Sequence, residues 1–103
     1  MTRLVITDPA RRDLDDAAAS YDERRAGLGR AFLEQVDHTL ENVSLFPEGA
    51  PTVFDHVRKI VVQRFPFCIV YRVGVERVDI IAVLPTRTDP SRLLSRLGML
   101  FSS

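Results

Sequence analysis

With 103 residues, 14 Lys+Arg against 14 Asp+Glu and a hydrophobic fraction of 46%, the sequence has room for a single domain with its own core, residues 1–103, and not for two. The lone Cys68 excludes an intrachain disulfide, and with only His38 and His56 beside it the composition argues against a zinc site of the usual type, so no metal and no cofactor are expected. The N-terminal stretch turns polar too soon for a signal peptide, and no apolar run approaches the roughly 20 residues of a membrane span, so no membrane partner and a reducing cytoplasmic location are expected.

Leu4-Val5-Ile6 reads as a short strand. Asp8-Pro9 reads as a helix start, because the Asp carboxylate can accept from an orphan N–H and Pro suits the first helical position. Leu14, Ala17, Ala18 and Tyr21 then fall at i, i+3, i+4 and i+7 on one apolar stripe. Arg11, Arg12, Asp13, Asp15, Asp16 and Asp22 occupy the opposite, solvated side. Ala26-Gly27 interrupts the pattern. A second helix turns Leu28, Ala31, Phe32, Val36, Leu40 and Val43 inward and stops at Phe46-Pro47-Glu48-Gly49. The two helices form a hairpin. Pro47 to Asp55 reads as a loop, and both histidines as surface residues.

From Val57 the composition turns β-branched, and Val57–Phe65, Phe67–Val73 and Arg77–Leu84 read as three strands. The links, a break at Pro66 and a turn at Gly74-Val75-Glu76, are short enough to require antiparallel neighbours. Along the first of these strands Arg58, Ile60, Val62 and Arg64 share one side, and Lys59, Val61, Gln63 and Phe65 the other. Asp89-Pro90 opens a short last helix with Leu93, Leu94 and Leu97 as its apolar side, and the tail from Gly98 to Ser103 ends in an apolar patch. The order β-α-α-β-β-β-α predicts an α+β fold in which a helical hairpin packs on an antiparallel β-sheet, with a short C-terminal helix and the sheet's other face partly open.

The zero net charge conceals a division. Residues 1–56 carry six Lys+Arg and eleven Asp+Glu, a balance of −5, whereas residues 57–103 carry eight and three, a balance of +5. A basic C-terminal half predicts an acidic partner, although attraction between the two halves within the fold also accounts for part of the pattern. Seven of these eight cations, Arg58, Lys59, Arg64, Arg72, Arg77, Arg87 and Arg92, make up the candidate cationic cluster. Such groups can bind phosphates, and arginine can brace a phosphoryl transition state through bidentate hydrogen bonds. Cleavage of RNA by its own 2′-hydroxyl needs a base, a cation and an acid but no metal; the sequence supplies the cation and shows no evident base or acid. Gly27-Leu28-Gly29 is too short for a phosphate loop and follows no strand. Asp15-Asp16 reads as a solvated face, and Cys68, in mid-strand, as a small buried residue.

Val57-Arg58-Lys59 leading into Arg64-Phe65-Pro66-Phe67, then Ile69-Val70-Tyr71-Arg72-Val73, Ile80-Ile81-Ala82-Val83-Leu84 and a closing Arg87 with Asp89-Pro90, resembles the RelE/ParE toxin superfamily. Asp8-Pro9-Ala10, Asp13-Leu14 and the long second helix ending at Phe46-Pro47 fit the same pattern, so the resemblance covers nearly the whole chain. It implies a bacterial growth-inhibiting toxin of a type II toxin–antitoxin pair, with a helical hairpin on a curved antiparallel sheet. It also implies a cognate antitoxin that wraps the toxin, and a complex that reaches operator DNA only through that antitoxin. ParE-like members act on DNA gyrase; RelE-like members cut messenger RNA on the ribosome without metal.

The sequence departs from the nuclease pattern. The superfamily's His-x-Arg-Arg-Asp-Pro-like closing motif reads Pro85-Thr86-Arg87-Thr88-Asp89-Pro90 here. The catalytic arginine of the nucleases falls at Cys68, and their C-terminal catalytic tyrosine near Leu93. Lys59 and Arg87 are the two catalytic positions the resemblance carries over. Arg58, Arg64, Arg72, Arg87 and Arg92 are the expected antitoxin or target contacts. The resemblance thus favours a ParE-like toxin that binds a target such as gyrase. A metal-independent endoribonuclease and a degenerate, antitoxin-binding member without toxicity stand as the alternatives.

Overall fold

The computed structural model describes residues 2–101, with side chains up to residue 98; the sequence-based apolar tail patch beyond Gly98 lies outside the described side chains. Among the described residues the order is β1 (Arg3–Ile6), α1 (Asp8–Arg24), α2 (Leu28–Leu45), β2 (Thr52–Phe54), β3 (Val57–Val61), β4 (Phe67–Val73), β5 (Arg77–Pro85) and α3 (Pro90–Phe101). The strands form one sheet in the order β1-β5-β4-β3-β2. The α+β class and the hairpin-on-sheet architecture are as the sequence reads. Two features enlarge it: β1 joins β5 in parallel, which makes the sheet mixed, and the expected loop after Pro47 contains the short edge strand β2, antiparallel to β3.

Local chemistry sets the helix ends. Thr7, not Asp8, caps α1: its Oγ1 accepts from the Ala10 N–H at 3.4 Å and donates to the Ile80 carbonyl at 2.8 Å, joining the helix start to β5. Asp8 lies in the first turn, where its charge suits the helix dipole. Gly27 takes φ 89° between the helices, a conformation that glycine adopts without a Cβ penalty. Gly29 is required for closeness: a Cβ there would collide with the Ala18 carbonyl, and its N–H donates to Asp22 Oδ1 at 2.8 Å.

The hairpin packs on one face of the sheet. Ala10, Leu14, Ala17 and Tyr21 of α1 and Phe32, Val36 and Val43 of α2 meet Ile69, Tyr71, Val78, Ile80 and Val83. An aromatic cluster closes this core at one end, where the Tyr21 ring lies 5.3 Å from Phe32 and 5.0 Å from Phe65. Phe65 therefore faces the hairpin, not the Lys59 side that strict alternation predicts. β3 ends at Val61, four residues before its expected end. Arg64 then turns through φ 70°, which resets the alternation before β4 begins.

The second core lies on the other face, where Val57, Val70, Ile81, Ala82, Leu84 and Leu97 cluster with Leu93 packed against them. A bulge between Val70 and Tyr71 leaves Ile81 unpaired opposite, so Ile81 and Ala82 both join this core. α3 lies over it and is held by an ion pair. Arg96 Nη1 and Nη2 donate to Asp13 Oδ2 and Oδ1 at 2.8 and 3.0 Å, and Arg96 Nη1 also reaches the Ile81 carbonyl at 3.1 Å. Asp13 Oδ2 accepts from the Val83 N–H at 3.0 Å. β1 pairs with β5 only as far as Ile80, and this pair supplies partners to the part of β5 beyond it. Asp13 is thus no solvated residue: its side chain is 12% exposed and that of Arg96 16%.

Candidate functional site

The partly open face carries a groove between α3 and the β2–β3 edge. Lys59, Cys68, Val70 and Leu84 line it from the sheet, Leu93, Leu94 and Leu97 from α3, and Val53 and Phe54 from the β2 rim. It encloses about 310 Å³, and Pro85, Thr86, Thr88 and Pro90 complete its lining. Its rims are apolar and solvated, with Phe54 62% and Leu94 59% exposed; Val61 on the neighbouring strand is 56% exposed. Contiguous exposed apolar side chains of this kind mark interaction surfaces. Asp89 fixes the start of α3 by accepting from the Ser91 N–H at 2.9 Å, and the same bond holds its carboxyl below the usual range.

Chemically the groove is sparse. Lys59 is the one charged residue among its described lining. Cys68 donates its thiol hydrogen to the Leu84 carbonyl at 3.5 Å, and burial pushes the thiol up against the opposing pull of Lys59. Lys59, Cys68 and Leu93 share this groove, so the two positions at which the resemblance places a nuclease's arginine and tyrosine do come together, but they carry a protonated thiol and an isobutyl group.

The expected cations do not gather on one face. Lys59 lies in the groove, whereas Arg87 lines a different cleft, against α1. Arg58 faces the loop before β2 and donates from Nη1 to the Glu48 carbonyl at 3.0 Å and to the Ala50 carbonyl. That loop is also tied by Tyr71, whose hydroxyl donates to the Pro47 carbonyl at 2.9 Å. Arg64 sits on the β3–β4 turn, exposed, and Arg92 is exposed on α3. Arg72 and Arg77 line a shallow polar depression at the far end of the sheet with Arg3, and Arg77 Nε pairs there with Asp79 Oδ1 at 3.0 Å.

Sequence reasoning missed Val53 and Phe54, Arg24, which lines the cleft that also holds Arg87, and the Asp13–Arg96 pair. Val53-Phe54 could have been noticed as two large apolar residues inside an otherwise polar loop. Asp13 and Arg96 lie 83 residues apart and give no local signal.

A helical hairpin on a mixed sheet, with a third helix over the far face and an apolar groove beside it, defines a small α+β domain. The family model for the ParE toxin of type II toxin–antitoxin systems, parDE, matches residues 4–90. The chain therefore belongs to the ParE toxin family. A solved structure described as a chromosomal ParDE TA system from P. aeruginosa is similar in fold, with a TM-score of 0.63 and 24% identity over 82% of this chain and 96% of that one. No curated protein matches. No helix among the described residues is long and apolar enough to cross a membrane.

Proposed function

We propose that this ParE-family toxin acts by docking and not by cutting RNA: its open-face groove seats the cognate antitoxin, and the free toxin inhibits growth by binding a cellular target such as DNA gyrase. The observation that carries this reading is the content of the groove. Where the nucleases have a cation and a proton-transfer group, the groove offers Cys68 and Leu93, and Lys59 stands there without Arg87. Losing a phosphate-bracing cation and a general acid costs roughly a hundredfold or more each in rate. A binder needs neither. It needs apolar anchors and pockets, and Val53, Phe54, Leu94 and the cavity between them supply these. The parDE description of the family and the ParDE title of the similar structure support an antitoxin of the ParD kind as the partner. In this reading operator DNA is reached only through the antitoxin.

The experiment is induced expression of the chain with and without the reading frame beside it, followed by assays on the purified protein. Growth arrest relieved by the neighbour, inhibition of supercoiling and intact messages in a translating extract are the expected results. Message cleavage abolished by Lys59→Ala or Arg87→Ala would refute the docking reading in favour of an endoribonuclease. No arrest at all would leave only antitoxin binding.

A further inference from the structure

We infer that the cleft between the C-terminal half of α1 and the Pro66/Pro85–Arg87 corner is a carboxylate site, taking an acidic side chain from an extended peptide whose apolar residues fill the open-face groove. The identity of that peptide as an antitoxin segment rests on the reading above; the anion site itself does not.

The cleft encloses about 520 Å³, and Arg24, Arg87, Ser20 and Thr86 line it together with the apolar Pro66, Phe67 and Pro85. No carboxylate is among its described lining. Arg87 has no hydrogen bond or ion pair with any described residue. Arg24 sits over the ring of Tyr21 with its guanidinium carbon 5.4 Å from the ring centroid, a cation–π contact that leaves its charge without a carboxylate partner among the described residues. Two cations facing one cleft without an internal counter-ion repel each other, and a carboxylate between them would replace that repulsion with charge-assisted hydrogen bonds.

The corner bearing Arg87 is already fixed. Thr86 donates through both its N–H, at 2.9 Å, and its Oγ1, at 3.4 Å, to the Pro66 carbonyl, which ties the end of β5 to the β3–β4 turn. Continuity with the groove points to a peptide: Pro85 and Thr86 line both cavities, so they form the ridge between them. An extended chain advances about 3.3 Å per residue. A residue a few positions beyond the last apolar anchor therefore crosses the ridge and enters the cleft. Nucleic acid is the poorer occupant. Tyr21, the ring beneath Arg24, is only 8% exposed and offers no stacking platform.

The test is an amide and arginine Nε–H NMR titration of the full chain with pentaglutamate at low salt. The site predicts saturable shifts at Ser20, Arg24, Thr86 and Arg87 with Val70 and Leu84 unmoved. Affinity should fall at least tenfold in the Arg24→Gln/Arg87→Gln double variant and stay unchanged in Arg11→Gln. No shift, or equal shifts at every arginine, would overturn the inference. So would tighter saturation of the same amides by inorganic phosphate or by pentathymidylate, which would assign the cleft to phosphate or to nucleic acid. A parallel titration with the cognate antitoxin separates the two readings. Groove amides that stay still there would defeat the antitoxin reading and leave the pentaglutamate result intact.

Discussion

Replacing Arg96 with methionine keeps most of the aliphatic volume of the side chain and removes its charge and donors. Three bonds are lost together: two to the Asp13 carboxylate and one to the Ile81 carbonyl. Asp13 would then retain only the Val83 N–H. Breaking a buried ion pair by removing one partner costs about 3–5 kcal/mol, because the remaining charge is left uncompensated. With side-chain exposures of 16% and 12%, some water reaches the orphaned carboxylate, so the expected cost is at the lower end, about 3 kcal/mol. For a domain of this size that lowers Tm by roughly 10–20 °C. Thermal unfolding gives this number, and a double-mutant cycle with Asp13→Ala isolates the coupling. Native-state hydrogen exchange should also show α3 losing protection before the hairpin does, since the pair joins α3 to α1 and β5. A Tm drop under about 2 °C, or a coupling below about 0.5 kcal/mol, would refute the assignment of this pair as the clasp of α3.

Other substitutions test separate parts of the account. Gly29→Ala should destabilise by about 2 kcal/mol, because a Cβ meets the Ala18 carbonyl across the helix joint; urea unfolding reads it, and an unchanged midpoint would contradict the close approach. Burial pushes the Tyr71 phenol up, against the opposing charge of Arg58, so the neutral form is favoured in the fold. The stability it contributes is full below the unfolded value near pH 10 and declines as pH rises through the folded value. Tyr71→Phe should cost about 1 kcal/mol at neutral pH and flatten that alkaline decline; a variant falling as steeply as its parent would exclude Tyr71 as the cause. Arg64→Gly should hold or raise stability by up to about 1 kcal/mol, since φ 70° suits glycine, and a clear loss would show that the Arg64 side chain contributes contacts of its own.

The parts of the fold legible in the sequence are those with strong local patterns. β4 is an almost unbroken run of β-branched and aromatic residues buried on both faces, and its observed limits match the expected ones. The apolar stripes of α1 and α2 place Leu14, Ala17, Tyr21, Phe32, Val36 and Val43 in the core, as read. What failed was whatever depends on distant neighbours. β2 is exposed throughout and exists by pairing with β3, so no period-2 burial signal marks it. The end of β3 is set by an arginine in a left-handed conformation, where a reader looks for glycine. Asp13 is a polar residue on a polar helix face until α3 brings Arg96 over it.

The candidate site was legible by residue type more than by position. Lys59 does line the groove, but its apolar rim was hidden in an apparent loop. The basic half, read as one surface, is divided by the strand alternation and by the turn at β5's end, which sends Arg87 toward α1 and Lys59 toward α3. Charge along a chain does not say which face each side chain takes; pairing and packing decide that.

The most direct test of the groove as the working surface is the affinity of the purified chain for its cognate antitoxin, compared between wild type and Phe54→Asp. Phe54 is 62% exposed, so the substitution should leave Tm nearly unchanged. The account predicts an affinity loss of about a hundredfold, the weight of an apolar anchor on the groove's rim replaced by a charge. An unchanged affinity with the fold intact would contradict it.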